Sequence, residues 1–245
     1  MKRERAMGIN AVTGLVDFAP ERIVRVWIKA EGARLEALAR RLEEAGIVVE
    51  SASDRALDRL SGGIRHQGVV AEFRPREPIE DKALVELLDH SVEPPLLLVL
   101  DGVQDPHNLG ACLRSAGAAG ATAVVIPRHR AVGMTPAGRR AAAGAAEQVP
   151  LAVVANLART LALLGEHGIW RVGFDSQAER RLFGAHLEGP LALVMGSEDR
   201  GLRRLTRERC DELVHIPIPG PQDSLNVSVA AGIGLFEAVR TRLSR

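Results

Sequence analysis

The chain of 245 residues is long enough to bury a core as one large domain or two small ones, and a net charge of +1 with a pI near 7.9 neither demands nor forbids a nucleic-acid partner. Aromatic residues make up only 3% and tyrosine is absent, which argues against a strand-binding platform of stacked rings and leaves any RNA contact to arginine, backbone and polar groups. Cys112 and Cys210 have no Cys-x-x-Cys or Cys/His spacing, the N-terminus carries no apolar signal core and no apolar run spans a bilayer, so we expect a cytoplasmic protein with no metal and no membrane partner.

From Gly8 to about Arg74 the pattern reads as a small α/β unit. Ile23 to Ile28 has strand character, and Leu35, Leu38, Ala39, Leu42 and Ala45 recur at helical spacing until Gly46. Residues 47–49 and 69–73 read as further strands. Between them Arg65, His66 and Gln67 lie in a loop flanked by Gly62, Gly63 and Gly68, where polar groups can approach a phosphate or base, or remain solvated charges of a hairpin. Residues 75–95, with Pro75, Pro78, Pro94 and Pro95 around a short helical pattern, read as a linker between domains at 1–74 and 96–245.

From Leu96 onward strands and helices alternate. Leu96 to Leu100 is a continuous apolar run ending at Asp101, as expected of a strand buried on both faces of a parallel sheet. A helix from Leu109 to Ala119, a strand at 123–126 and an Ala/Arg helix from Ala137 to Ala146 follow. Strands at 149–154, 169–174, 191–195 and 213–216 come next, with helices at 157–167 and 202–209 between some of them. This is a doubly wound α/β pattern, whose ligands sit beyond the carboxyl ends of the strands. No Gly-x-Gly-x-x-Gly and no Gly-x-x-x-x-Gly-Lys-Ser/Thr occurs, which disfavours a dinucleotide fold or a conventional methyltransferase pocket.

Three polar segments fall at strand ends: Asp101 to Asn108, Gly196 to Gly201, and Pro217 to Asn226. The last is the most constrained, because Pro217, Pro219, Gly220 and Pro221 fix a turn just before a small-residue helix. In order, Leu100 to Gly117, Leu193 to Leu202 and His215 to Gly232 resemble the motifs of the SpoU (TrmH-type) RNA ribose 2′-O-methyltransferases, over nearly the whole chain. Gly8-Ile9-Asn10-Ala11-Val12 and His66-Gln67-Gly68-Val69-Val70-Ala71 resemble the N-terminal domain of members that modify a guanosine of large-subunit (23S) ribosomal RNA.

The resemblance implies an N-terminal RNA-binding domain similar to ribosomal protein L30e and a C-terminal α/β sheet with a deep trefoil knot, S-adenosylmethionine bound within it, and a homodimer. It implies Arg114 as the catalytic arginine. Literal base catalysis by a guanidinium is disfavoured, whereas binding the adjacent phosphate is physically easier. Asn108 is expected near the strand-end cleft, Glu198 to orient Arg114 or hydrogen-bond the ribose, and Ser224 and Asn226 to position substrate and arginine. Main-chain groups of Gly196, Ile216 and Leu225 are expected against the cofactor. Each residue also has an ordinary structural reading: Ser224 or Asn226 as a helix cap, Glu198 as a helix N-terminal charge, Arg114 as a surface arginine. Pro221-Gln222-Asp223 and Asp199 depart from the family pattern. Alternatives are the same chemistry on tRNA, a ribosome-assembly protein that binds RNA without methylating it, and, weakly, a nicotinamide-dependent dehydrogenase.

Overall fold

Strands that are apolar mainly at alternate positions build one sheet, and continuous apolar runs build a second. The structure, a computed structural model, describes residues 3–29 and 31–244. Its contacts divide into one unit up to Glu77 together with Ala142–Gln148, and a second unit of Pro78–Ala141 and Val149 onward.

The first unit contains β1 (Glu4–Met7), α1 (Ile9–Phe18), β2 (Ile23–Ile28), α2 (Ala33–Glu44), β3 (Val49–Ser51), α3 (Asp54–Ser61) and β4 (Val69–Phe73). The strand order is β1-β4-β2-β3, antiparallel except for the β2–β3 pair. Val26 and Ile28 face one side with Val69, Ala71 and Phe73, and there they pack against Val12, Leu15, Leu35, Leu38 and Leu42 of α1 and α2. The alternate residues Arg25 and Trp27 face the other side, where α3 lies with Leu57 fully buried. Sequence periodicity leaves β1, α1 and α3 unassigned because each is short.

The second unit begins inside the expected linker. In α4 (Asp81–Asp89), Leu84 and Leu88 join the core, and Ile79 bridges to Ala152, so residues 78–95 are part of this unit rather than a free tether. The elements that follow are β5 (Leu96–Asp101), α5 (Pro106–Ala118), β6 (Ala123–Pro127), α6 (Pro136–Ala142), then α7 (Ala145–Gln148), which belongs to the first unit, and β7 (Leu151–Val154), α8 (Leu157–Glu166) and β8 (Trp170–Phe174). After them come β9 (Arg180–Arg181), β10 (Leu191–Gly196), α9 (Arg204–Arg207), β11 (Glu212–His215) and α10 (Val227–Leu243). The helix expected over 137–146 is broken, because Ala143 and Gly144 have φ of 49° and 96°. A Cβ on Gly144 would sit 2.6 Å from the Gly14 Cα, so two glycines allow α1 to meet this segment, backbone to backbone. The helix expected over 202–209 is only the single turn α9.

The sheet order is β7-β6-β5-β10-β8-β11-β9 and every pair is parallel. Leu97 and Val99 of β5 and Ala192 and Val194 of β10 face a core shared with Leu84, Leu157 and Leu161. On the opposite face α5 and α10 pack together, and Gly234 lets α10 lie close on the sheet: a Cβ there would sit 2.6 Å from the Phe174 ring of β8. Among the described residues no helix is long and apolar enough to cross a membrane, and no group of three or more His, Cys, Asp or Glu is arranged to hold a metal.

Candidate active site

The winding direction of the sheet changes beside β5 and β10, and Gly196 at the end of β10 lies directly opposite Asp101 at the end of β5. Such a switch point leaves a crevice beyond the carboxyl ends. Asp101 is 1% exposed; its carboxylate is paired with the Arg203 guanidinium and accepts the Arg203 amide at 3.1 Å. That contact ties the loop after β10 to β5. Within the loop Ser197 and Gly201 exchange backbone hydrogen bonds of 3.1 and 2.9 Å, and Gly201 has φ of 62°. Gly196 must lack a side chain, since a Cβ would lie 2.1 Å from the Gly201 carbonyl carbon.

Helix starts deliver the polar groups. Pro106 opens α5 and the Asp105 carboxylate accepts the His107 amide at 2.8 Å, which fixes Asn108 in the first turn, where it is buried. Asn226 caps α10: its Oδ1 accepts the Ser228 amide at 2.9 Å and the Ser228 hydroxyl at 2.6 Å. Its Nδ2 donates to Glu198 Oε1 at 2.9 Å and to Asn108 Oδ1 at 3.1 Å. Asn108 Nδ2 donates to the same Glu198 oxygen at 2.8 Å, and the Val227 amide approaches it at 3.5 Å. Asn226 is thus a helix cap and a member of the cluster at once, and the two readings of its sequence position coincide.

Three of the expected residues therefore meet, and two stand apart. Glu198 engages Asn108 and Asn226 rather than Arg114. Arg114 projects from the next turns of α5, exposed, with no hydrogen-bond or ion-pair partner among the described residues. The six-residue interval from Asn108 turns it through about 240° of helix, away from the amide. Ser224 is exposed on the loop before α10 and its hydroxyl makes no hydrogen bond among the described residues. Ser228, which the sequence places with Ser224 and Asn226 in one polar cluster at the helix start, joins the Asn226 cap, and the Val227 amide is the contact that sequence reasoning left unnamed.

A cleft of about 460 Å³ adjoins this cluster, lined by Gly196, Ile216, Ser224 and Leu225, by the apolar side chains of Phe174, Met195 and Leu202, and by Asp175, Asp199 and Asp223. Among the described residues, 217–225 make no backbone–backbone hydrogen bond, so the amides of Ile218, Gly220 and Leu225 are not spent on the fold. Asp175 is already engaged, by Arg207 at 3.1 Å and by the Gln177 amide at 2.8 Å. Unspent amides, apolar walls and carboxylates suit a nucleoside bearing positive charge. Cys112, beneath the cluster, is fully buried; burial, with the Glu198 carboxylate adding to it, pushes its thiol up to about 12 and keeps it protonated.

A parallel sheet with its polar cluster at a strand-end crevice is where α/β proteins bind their ligands, and the match of residues 95–236 to the SpoU rRNA Methylase family places the chain in that family. Residues 5–79 match the RNA 2′-O ribose methyltransferase substrate-binding family. The chain is 49% identical to the 23S rRNA (guanosine-2′-O-)-methyltransferase RlmB of Escherichia coli K12, over 98% of this chain and 99% of that one. It is also 49% identical to the protein of the same name from Pseudomonas putida, over 98% and 97%. Among solved structures it resembles an RNA 2′-O ribose methyltransferase, with TM-score 0.77 and 26% identity, covering 98% of this chain and 89% of that one. An AdoMet-bound rRNA methyltransferase from Sinorhizobium meliloti aligns with TM-score 0.74 and 25% identity, covering 98% and 87%.

Proposed function

We propose that this protein transfers the methyl group of S-adenosylmethionine to the ribose 2′-hydroxyl of a guanosine in 23S ribosomal RNA. The observation that carries the reading is the meeting of Asn108, Glu198 and Asn226, 90 and 118 residues apart in pairs, at one carboxylate beside the cleft. It occurs in a chain about half identical, from end to end, to two enzymes named for that reaction.

Bound S-adenosylmethionine supplies an electrophilic methyl group, so the protein's work is chiefly to position the acceptor. Main-chain groups of Gly196, Ile216 and Leu225 hold the nucleoside end in the cleft. Glu198, locked by the two asparagine amides, keeps a fixed acceptor at the cleft edge, and Ser224 offers a free hydroxyl to the ribose. Arg114 binds the phosphate next to the reacting ribose. Methyl transfer to the 2′-oxygen would release the hydroxyl proton to that phosphate or to water; a guanidinium, which stays protonated in proteins, does not accept it.

In this reading residues 1–74 grip RNA and 96–245 carry the chemistry, with the chain wrapped around the cofactor in a trefoil crossing, and 75–95 lead from one to the other with α4 packed into the core of the second. The protein works in the cytoplasm, where its substrate is made, and as a homodimer. Val229 and Phe236, each 50% exposed, and Leu243 at 80% share one face of α10 with Ile233, an apolar stripe that a second copy would cover. A monomer in light scattering at micromolar concentration would remove that support.

The central test is transfer of labelled methyl to unmodified 23S rRNA by wild type and Arg114→Ala, with the product mapped by ribose-methylation sequencing. We expect one labelled guanosine, lost in the variant by at least about a hundredfold if a phosphate contact made in the transition state is removed, with Tm unchanged because Arg114 has no partner to lose. Label on tRNA alone overturns the substrate; tight RNA binding without transfer overturns the enzyme.

A further inference from the structure

The outer face of the first sheet forms a groove with α3, about 580 Å³ in volume, lined by Arg5, Trp27, Ser51, Ser53, Arg59 and Leu60. We infer that this groove is a binding site for one nucleotide of single-stranded RNA, with the base against Trp27 and the phosphate between Arg5 and Arg59. The inference rests on the proposed function and adds to it a place of recognition within the first unit.

Trp27 is built to hold still. Its indole Nε1 donates to Glu50 Oε2 at 2.9 Å, and the Arg25 guanidinium carbon lies 5.8 Å from the ring centroid while Arg25 pairs with Glu50 at 3.3 Å. A ring fixed in this way loses little freedom on stacking. Beside it two cations remain unneutralised. Arg5 spends one N–H on the Leu60 carbonyl at 2.8 Å and has no carboxylate partner among the described residues. Arg59 is exposed and has no partner there at all. Arg3 and Lys29, flanking the same strands, are by contrast paired with Glu72 and Asp54. Ser53 caps α3 through its oxygen, and its hydroxyl proton stays available to a phosphate. One aromatic face, two open guanidinium forks and a hydroxyl match a stacked base and its phosphate, and do so with a single tryptophan in a chain that has no aromatic platform.

The only other tryptophan is Trp170 in the second unit, so in Trp170→Phe the emission reports Trp27 alone. Titration of that chain with an unmodified 23S rRNA transcript should quench the emission. Arg59→Ala and Arg5→Ala should each weaken transcript binding about tenfold and flatten the log–log salt dependence by about 0.7, with S-adenosylmethionine affinity unchanged. Full-affinity RNA binding with unquenched emission and an unchanged salt slope would overturn the groove and leave methyl transfer standing. Failure of the wild type to bind or methylate any RNA would instead overturn the proposed function, and this inference with it.

Discussion

Gly196→Ala places a methyl group where backbone already lies. A Cβ would sit 2.1 Å from the Gly201 carbonyl carbon and 2.3 Å from the Leu202 nitrogen, against an ordinary carbon contact of about 3.5 Å, so the turn must retreat by about 1 Å or more. Two reciprocal bonds between Ser197 and Gly201, and the hold of the buried Asp101 carboxylate on Arg203, resist that retreat. Overpacking of this kind costs about 1–3 kcal/mol, and in a chain of this length Tm falls by roughly 2–4 °C per kcal/mol, giving a drop of roughly 2–12 °C. Glu198 rides on the same turn, and its bonds of 2.8 and 2.9 Å to Asn108 and Asn226 lie beyond reach after such a shift. Thermal denaturation and titration calorimetry with S-adenosylmethionine should therefore both change, the dissociation constant rising at least about tenfold. A variant with wild-type Tm and wild-type affinity would refute both the close approach and its link to the cleft.

Glu198→Ala leaves the buried Asn108 amide without its acceptor; with the carboxylate partly in water we expect about 1–2 kcal/mol, seen as a Tm fall of roughly 2–8 °C, and Glu198→Gln should lose less than half of it. Equal Tm for all three proteins would show that the cluster contributes no stability. The thiol of Cys112 is raised from 9.0 to about 12 in the folded chain, so the unfolded thiol ionises first as pH rises. Its contribution is complete below the ordinary thiol value of 9.0 and is lost between there and about 12, at about 1.4 kcal/mol per pH unit. Cys112→Ala should flatten the alkaline limb of stability against pH, and an unchanged limb would count against the buried thiol.

The sheet of the second unit was legible because its strands are continuous apolar runs, Leu96 to Leu100 above all, and a fully buried parallel strand has few other ways to be written. The short strand and helices of the first unit were not: α3 offers only Leu57 and Leu60 to a core, too few for periodicity to register. Segment 137–146 misled for a physical reason, since its alanines favour one helix while the approach of Gly14 to Gly144 requires two. At the site, the segment positions could be read from strand ends, and Asn108, Glu198 and Asn226 from the motif resemblance. The partnership of Glu198 with two asparagines rather than with Arg114 could not, because it depends on the rotation of α5 and on the cap of α10, which only packing of the two helices fixes.

The Glu198 cluster also has a bearing on the order of folding. Its partners lie 90 and 28 residues away along the chain, and Asn108 and Asn226 are separated by 118. Local turns such as the start of α5 close quickly, whereas contacts across such distances await the assembly of most of the sheet between them. The carboxylate therefore acquires its full set of donors only after β5, β10 and both capped helices have docked. A chain that has formed these elements but not joined them presents no organised cleft edge, so cofactor is captured by finished molecules and in turn stabilises them by mass action. The motif segments are in that sense a proof of completed folding as well as a place for chemistry.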